Sequence, residues 1–531
     1  MDTKTNKPNL FLTWLNEQRN CVGVLLLLFL MLGVSAYRWM ELSGNAAPPG
    51  SDGGQWLAFA HQLFGGEQIR AGFQSYPPLF PLLVKTVSVD NGLLSLKFLG
   101  IACSVLICVP VYILLRTAVS PLIAAVVAIV SVLSPYNYEV LCFGGYPQLL
   151  GTFFLIFSVF FLIKGMDTGT KKWFILSAFT AVATAGSNVL PTIILVMASG
   201  MVLLIMSTKL WRENKPALFC RIRLALVWWA VPACIMSLAF FTTYYDYLSS
   251  SGSVNSRDLS YMEMLRWLGE SWKWEIVLWF GIINFAAVAF ILSPKLLGGR
   301  NSLISTGAAS VLFAGIAGFL ILRELRCLAF IEIGLILLLG IVLVPMVSLF
   351  RHQPARHVFA VASLALVVFI VSIIGVIGDR RFEVAAGWYA VVDDSVLPAM
   401  EWLDENRIND AIVVATEAEG GHNFGWWIEG YTHMPAYTAT DLAWFIDGEE
   451  HAQVKMAHRL LSEDISSEEI VSLAESEDIR FLFLDKRVIQ SSLGNLIAAG
   501  FEFSFETDTI TVMKRGSETV LSEGKTEGAH E

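Results

Sequence analysis

Long apolar runs recur through the first two-thirds of the chain, and they limit its possible folds more than any other feature. The first, at 21–37, is just long enough to cross a hydrocarbon core of about 30 Å. Similar runs follow at 93–115, 118–133, 149–163, 173–187, 189–206, 224–243, 276–293, 302–322, 327–349 and 357–377. Because spanning segments in lipid must satisfy their own backbone groups, the sequence predicts a polytopic α-helical membrane protein with about eleven transmembrane helices.

Composition agrees with a membrane protein. Hydrophobic residues make up 55% of the chain and charged residues only 15%, which is far from the balance of a soluble domain. The net charge of -10 gives no indication of a nucleic-acid partner, because most acids lie after residue 378. The cysteines lie mostly inside apolar runs without metal-ligand spacing, so we interpret them as small core residues.

Basic residues between the apolar runs predict the orientation. The loops expected in the cytoplasm contain Lys164, Lys171, Lys172, Lys209, Arg212, Lys215, Arg221, Arg223, Lys295, Arg300, Arg351 and Arg356. Positively charged loops remain on the cytoplasmic side. The amino terminus is therefore expected in the cytoplasm of a plasma-membrane protein, with the loop at 38–92 and the C-terminal domain outside.

The loop at 38–92 contains a short helical pattern and a proline-rich entry to the next helix. Ser51 or Asp52 can cap a helix in which Trp56, Phe59, Ala60 and Leu63 recur at helical spacing, and Gly65–Gly66 ends it. Tyr76 then opens the sequence YPPLFP, whose prolines restrict the backbone. Taken alone, Asp52 could simply be an N-cap carboxylate.

Asp52 at the start of an interfacial helix, followed by the YPP segment at Tyr76, resembles the first extracytoplasmic loop of the GT-C superfamily. Its members are integral-membrane glycosyltransferases that use polyprenyl-phosphate-linked sugars. In them an acidic residue of this loop is the catalytic base or activates the acceptor. The resemblance assigns that role to Asp52, since Glu41 is too close to the first span and Glu67 follows the helix.

A second outer segment, PYNYEVLCFGGYPQ at 135–148, is expected to form a tight loop because of its glycines and prolines. In several GT-C branches the corresponding loop carries an acidic motif that holds a metal or orients the acceptor. By that resemblance Glu139, Tyr146 and Gln148 are expected to bind the acceptor. With one carboxylate and no acidic pair, a divalent cation remains an open question. Glu139 as a merely interfacial residue is the alternative.

Arg323 and Arg326 lie between two apolar runs on the expected outer side, where a cation needs a partner. The family analogue is an arginine that binds the phosphate of the lipid donor. Pairing with Glu324 is the alternative. Glu332, inside the next apolar run, is expected to pair with one of these arginines.

After residue 378 the pattern changes to alternating strands and helices, which predicts an extracytoplasmic α/β domain at 379–515 and a disordered tail at 516–531. We expect helices at 400–406, 449–461 and 467–475, strands at 411–416 and 481–484, and a hairpin at 501–513.

The glycine-rich segment GGHNFGWWIEGYTHMPAY at 420–437 is expected to be a functional loop. It loosely resembles the double-tryptophan motif of oligosaccharyltransferase catalytic subunits, which contacts the acceptor, although Ile428 separates the tryptophans from the acid. The resemblance implies acceptor binding by Trp426, Trp427 and Glu429. His422 and His433 are further candidates, but their spacing matches no established metal-ligand motif.

These features predict an inverting, GT-C-type glycosyltransferase that is also distantly similar to protein mannosyltransferase-like enzymes. Its expected partners are a polyprenyl-phosphate-linked sugar donor, membrane lipids and an extracytoplasmic protein or glycan acceptor. A transporter or flippase for lipid-linked glycans is one alternative. The sequence shows no internal repeat, no symmetric broken helices and few ionisable residues at membrane depth, which disfavours it. A non-catalytic assembly protein is the other alternative.

Overall fold

The structure is a computed structural model. It describes residues 19–45, 47–50, 52–65, 76–88, 92–238, 262, 266, 302–322, 324–349, 389–408, 411–417, 423–438, 449–462, 464–489 and 493–516. The predicted spans at 276–293 and 357–377, Arg323, His422 and the tail at 517–531 lie outside these ranges. The chain divides into a membrane unit, Met1–Ala390 with Ala443–Phe445, and a second unit, Val391–Leu442 with Ile446–Glu531.

The described part of the membrane unit is helical. Its helices are α1 (Arg19–Leu42), α2 (Asp52–Gly65), α3 (Leu79–Val87), α4 (Gly92–Leu106), α5 (Cys108–Leu115), α6 (Pro121–Leu133), α7 (Pro135–Cys142), α8 (Tyr146–Thr168), α9 (Lys171–Ala185), α10 (Val189–Glu213), α11 (Lys215–Ala225), α12 (Val231–Ser237), α13 (Ser302–Leu322) and α14 (Leu328–Leu349). A π-helical turn, Leu226–Ala230, joins α11 to α12, and a 3-10 turn, Leu325–Cys327, precedes α14.

Six helical segments among the described residues are long and apolar enough to cross a membrane, or up to seven if the bent pair α6–α7 forms one span. They are Cys21–Leu42, Gly92–Leu115, Tyr146–Thr168, Val189–Glu213, Lys215–Ser237 and Leu303–Leu322. The chain is therefore a multi-pass helical membrane protein.

Helix α8 has a central position among the described helices of the membrane unit. It packs against α4, α5, α9, α10 and α13, and side chains such as Leu155, Ile156 and Val159 along it are fully buried. Its first residue, Tyr146, directly follows the short turn at 143–145. This extensively packed helix thus fixes the position of that turn.

The prediction of a tight loop at 135–148 is wrong over most of its length, because Pro135–Cys142 forms helix α7. The Ser134 hydroxyl accepts a hydrogen bond from the Asn137 backbone N–H at 3.2 Å, and Pro135 occupies the first turn. Both are helix-start signals. Helix α7 is bent by 47° from α6, and only the turn at 143–145 separates it from α8.

The second unit contains a mixed four-stranded sheet with helices. Its elements are α15 (Leu397–Glu405), β1 (Ile412–Ala415), α16 (Gly425–Thr432), α17 (Glu449–Leu460), α18 (Ser467–Ser476), β2 (Ile479–Asp485), α19 (Leu493–Ala498), β3 (Phe501–Glu506) and β4 (Ile510–Arg515). The strand order is β1-β2-β4-β3. Strand β1 runs parallel to β2, with Val414 opposite Leu482, and the other pairs are antiparallel. The predicted strands at 411–416 and 481–484 correspond to β1 and β2, and the predicted hairpin to β3–β4.

The segment at 420–437 was expected to be a loop, but its tryptophans lie on helix α16. The Asn423 side-chain oxygen accepts a hydrogen bond from the Gly425 N–H at 2.6 Å, which supports the start of the helix. His433 has a φ of 59° and follows the last helical residue. A left-handed residue in this position is a common way to end a helix.

Candidate functional site

The backbone of Asp52 lies directly against the turn that joins α7 to α8. Asp52 is the first residue of α2, the short helix for which the sequence predicts Ser51 or Asp52 as the cap. Gly144, in the turn, has a φ of +90°, and a Cβ atom there would be 2.9 Å from the Asp52 Cβ and 3.1 Å from the Gly53 nitrogen. A residue with a side chain does not fit this contact, so glycine is required for the approach.

Trp56 connects α2 to the same turn. Its indole N–H donates a hydrogen bond of 2.7 Å to the Gly144 carbonyl oxygen. The ring is buried, with its centroid 4.9 Å from that of Tyr76 and 5.9 Å from that of Phe80. One turn of α2 beyond Asp52, the helix is therefore fixed by both a hydrogen bond and aromatic packing.

The chain just before Asp52 contacts both the turn region and Tyr389. The Tyr146 hydroxyl donates to the Pro49 carbonyl oxygen at 3.3 Å. The Gly50 N–H donates to the Tyr389 carbonyl oxygen at 2.7 Å, and the Tyr389 ring centroid lies 6.2 Å from that of Phe143. Contacts with residues that are far apart in sequence thus fix the backbone that leads into Asp52.

Tyr389 also lies close enough to both predicted carboxylates to be affected by their charges. Burial raises the pKa of its hydroxyl, and the nearby charges of Glu139 and Asp52 raise it further. Both carboxylates therefore act on one tyrosine. Glu139 is half-buried on α7.

The YPP segment is anchored to the turn between α9 and α10. The Asn188 side-chain amide donates to the Tyr76 hydroxyl at 2.8 Å, and the Leu79 N–H donates to the Gly186 carbonyl oxygen at 2.8 Å. Tyr76 thereby supports the aromatic packing around Trp56. In this structure it is placed to position α2.

Arg326 forms the ion pair with Glu324 that the sequence left as an alternative. The Nε–Oε1 distance is 2.9 Å and the Nη2–Oε2 distance is 3.2 Å. Burial alone would raise the pKa of Glu324, but the charge of Arg326 and its hydrogen bonds outweigh burial, so the pKa is lowered. Tyr136 on α7 lies within electrostatic range of both this pair and Glu139.

Glu332 and Gln148 lie near α7 and line one small cavity. Glu332 on α14 accepts a hydrogen bond from the Ser134 hydroxyl. Gln148, in the first turn of α8, is only 2% exposed and lines a small cavity together with Glu332. The acceptor-binding roles of Tyr146 and Gln148 remain predictions.

The candidates of the second unit are mostly interior. Trp426, Trp427 and Glu429 are buried on α16. The Glu429 carboxylate accepts a hydrogen bond from the Ala436 N–H at 3.3 Å, which gives it a structural contact within the unit. Acceptor binding by these three residues, and a role for His433, remain predictions.

Arg38 was missed by sequence reasoning. It lies near the end of α1, is 2% exposed, and donates hydrogen bonds to the Ser104 hydroxyl, the Val132 carbonyl oxygen and the Asn137 side-chain oxygen, the last at 3.1 Å. It therefore ties α1 to α4, α6 and α7. A charged residue inside the end of a spanning helix was the available signal. Within the described ranges no three His, Cys, Asp or Glu side chains cluster so as to hold a metal ion.

No protein-family model matches the sequence, and no curated protein matches it. Among solved structures, the chain is similar to ArnT from Cupriavidus metallidurans bound to undecaprenyl phosphate. The TM-score is 0.55 and the identity 11%, with 92% of this chain and 98% of that chain covered.

The archaeal oligosaccharyltransferase of Archaeoglobus fulgidus is similar as well. Its complex with Zn and sulfate gives a TM-score of 0.51 at 12% identity, covering 92% of this chain and 72% of that chain. The form tethered to an acceptor peptide with the NVT sequon gives 0.54 at 12% identity, covering 89% and 70%. At these identities the likeness is one of fold. It agrees with the polytopic helical membrane fold that the sequence predicts.

Proposed function

We propose that the chain is a GT-C-type glycosyltransferase that transfers a sugar from a polyprenyl-phosphate-linked donor to an extracytoplasmic protein or glycan. The observation that carries the proposal is the position of Asp52. It begins α2 directly against the Gly144 turn, and Tyr389 lies near both Asp52 and Glu139. The similar fold of ArnT, which binds undecaprenyl phosphate, and of an oligosaccharyltransferase that binds an acceptor peptide, supports this substrate class.

In the proposed reaction, the Asp52 carboxylate accepts a proton from the acceptor nucleophile as that nucleophile attacks the anomeric carbon of the sugar. The bond from this carbon to the phosphate oxygen breaks, and the lipid phosphate leaves with the electron pair. Attack opposite the leaving group inverts the anomeric configuration. The amino-terminal end of α2 favours the ionised carboxylate that a base requires.

Arg326, together with Arg323, is proposed to stabilise the leaving phosphate. A cation next to the phosphate oxygens neutralises charge that develops as the sugar–phosphate bond breaks. The Glu324 pair holds the Arg326 guanidinium in one orientation, which lowers the entropy lost when a phosphate binds. Glu139 would orient the acceptor beside Asp52.

The lipid part of the donor requires contact with the bilayer. Helix α1, which leads to the Asp52 loop, exposes Leu25, Phe29 and Leu32 at 64%, 73% and 70%. Large apolar side chains this exposed are suited to contact with lipid. We further propose that the amino terminus is cytoplasmic and the second unit extracytoplasmic, as the basic loops predict.

The test is label transfer in membranes that contain wild-type protein, Asp52→Asn or Asp167→Asn, supplied with a pool of radiolabelled polyprenyl-phosphate sugars. Asp167 is the matched control because its carboxylate is half-exposed at the end of α8 and pairs with Lys209 at 3.9 Å. We expect transfer by the wild type and the control and none by Asp52→Asn. Normal transfer by Asp52→Asn would remove Asp52 as the base, and no transfer by folded wild type would argue against the activity itself.

A further inference from the structure

A small cavity lies inside the membrane unit, at the bend between α6 and α7. Its volume is about 20 Å³; half of its lining residues are apolar, and the others are Ser131, Ser134, Asn137, Gln148, Thr152 and Glu332, whose side chains carry oxygen atoms. A space of this size holds one water-sized occupant. The lining comes from α6, α7, α8 and α14, with Ile107 between α4 and α5 and Ser134 at the bend, so an occupant would contact all four helices and the bend.

The hydroxyl groups of the lining donate their hydrogen bonds to protein oxygen atoms and not to an occupant of the cavity. Ser131 donates to the Ala128 carbonyl oxygen at 2.6 Å, and Thr152 donates to the Gln148 carbonyl oxygen at 2.7 Å. Ser134 donates to Glu332. Because each hydroxyl has a single hydrogen, these three groups have only oxygen lone pairs left for an occupant.

The amide oxygen of Gln148 adds one more acceptor to the lining. The Gln148 side-chain oxygen is buried and has no hydrogen-bond partner. The Asn137 side chain is already engaged, since its oxygen accepts from Arg38 at 3.1 Å and its nitrogen donates to the Ser104 carbonyl oxygen at 3.3 Å. A buried acceptor without a donor is unfavourable, so the Gln148 oxygen requires an occupant that is positive or that donates.

We propose that the cavity binds a single monovalent cation, Na⁺. Hydroxyl, amide and carboxylate oxygens are the ligands that hard cations prefer. Glu332 is the one acidic side chain in the described lining. A divalent ion would therefore bring more positive charge into the membrane interior than this one carboxylate offsets. The small volume favours Na⁺ over the larger K⁺.

A cation in this position would stabilise the helices next to the candidate site. Its ligands would join α8 and α14 to the bend, and α7 carries Glu139 and continues into the turn at Gly144. The ion would act on the stability of this region, so the inference does not depend on the proposed transfer reaction.

The test is thermal unfolding of the purified full chain in detergent, in NaCl, KCl and N-methyl-D-glucamine chloride at equal ionic strength. A ligand that binds only the folded state raises the unfolding temperature. We expect a saturable rise of several degrees with Na⁺ and a smaller one with K⁺. Equal unfolding temperatures in the three salts would mean that the cavity holds a water molecule, and would overturn the proposal.

The variants Thr152→Val and Ser158→Ala make the test specific to this cavity. Thr152→Val keeps the side-chain shape and removes one oxygen of the lining, so it should lose most of the Na⁺ response. Ser158→Ala removes a buried hydroxyl of the same helix that pairs with Ser177 instead, and should keep the full response. An equal response in both variants would contradict the site. If Thr152→Val does not fold, equilibrium binding of ²²Na⁺ to the wild-type protein tests the proposal instead. We expect about one bound ion per chain.

Discussion

Replacing Gly144 with alanine should displace Asp52. Together with a control variant, this change separates the effect of Asp52 position on transfer from the effect of backbone strain on stability. The φ of +90° costs an L-residue about 1–2 kcal/mol. The new Cβ would also lie 2.9 Å from the Asp52 Cβ, so one of the two must move by about 0.5 Å to reach the 3.4 Å of ordinary contact. Because a misplacement of about 1 Å can cost roughly 100-fold in rate, we expect transfer to fall by about 10-fold or more.

Gly500→Ala is the matched control for backbone strain. Gly500 has a φ of +88°, and a Cβ there would meet nothing within 4 Å. Both variants should lower the unfolding temperature by a few degrees, since about 1 kcal/mol corresponds to roughly 2–4 °C in a large domain. The assay is initial-rate label transfer at equal amounts of folded protein. Full transfer by Gly144→Ala, or an equal loss in both variants, would refute the positioning argument.

Three further predictions concern single contacts. Trp56→Phe removes the hydrogen bond to Gly144 but keeps the aromatic packing, so it should lower the stability by about 1 kcal/mol in thermal unfolding and reduce transfer. Glu429→Leu removes the hydrogen bond to the buried Ala436 N–H and should cost about 1–3 kcal/mol, whereas Glu429→Gln keeps an acceptor and should cost less; equal losses in unfolding would contradict a structural hydrogen bond. Since Arg326 lowers the pKa of Glu324, their pairing stabilises the protein at neutral pH, and this contribution is lost as the pH falls through the lowered pKa. Glu324→Gln should therefore be less sensitive to acid, as measured by unfolding temperature against pH.

Apolar length predicted the long helices well, and errors arose where polar residues continue a helix. The run at 302–322 is helix α13, Ser302–Leu322. In contrast, the first run was expected to end at residue 37, whereas α1 continues to Leu42. Arg38 lies in this extension and is buried because three acceptors from other helices surround it. Such long-range partners are not visible in the local pattern.

Two segments rich in glycine or proline were expected to be loops although they carry helix-start signals. Ser134-Pro135 caps and begins α7, and Asn423 supports the start of α16. These signals were present in the sequence and could have been used. The contact of Gly50 with Tyr389 could not have been predicted in this way, because it joins residues more than 300 positions apart and depends on the packing of the whole unit.

The central claim, that Asp52 is the base of a lipid-dependent sugar transfer, is tested most directly with purified protein in vesicles. The measurement is the initial rate at which label moves from a polyprenyl-phosphate sugar to a pool of protein and glycan acceptors, for wild type and Asp52→Asn. We predict transfer by the wild type and a loss of at least about 100-fold in the variant, as expected when a general base is removed. Equal rates for the two folded proteins would contradict the claim.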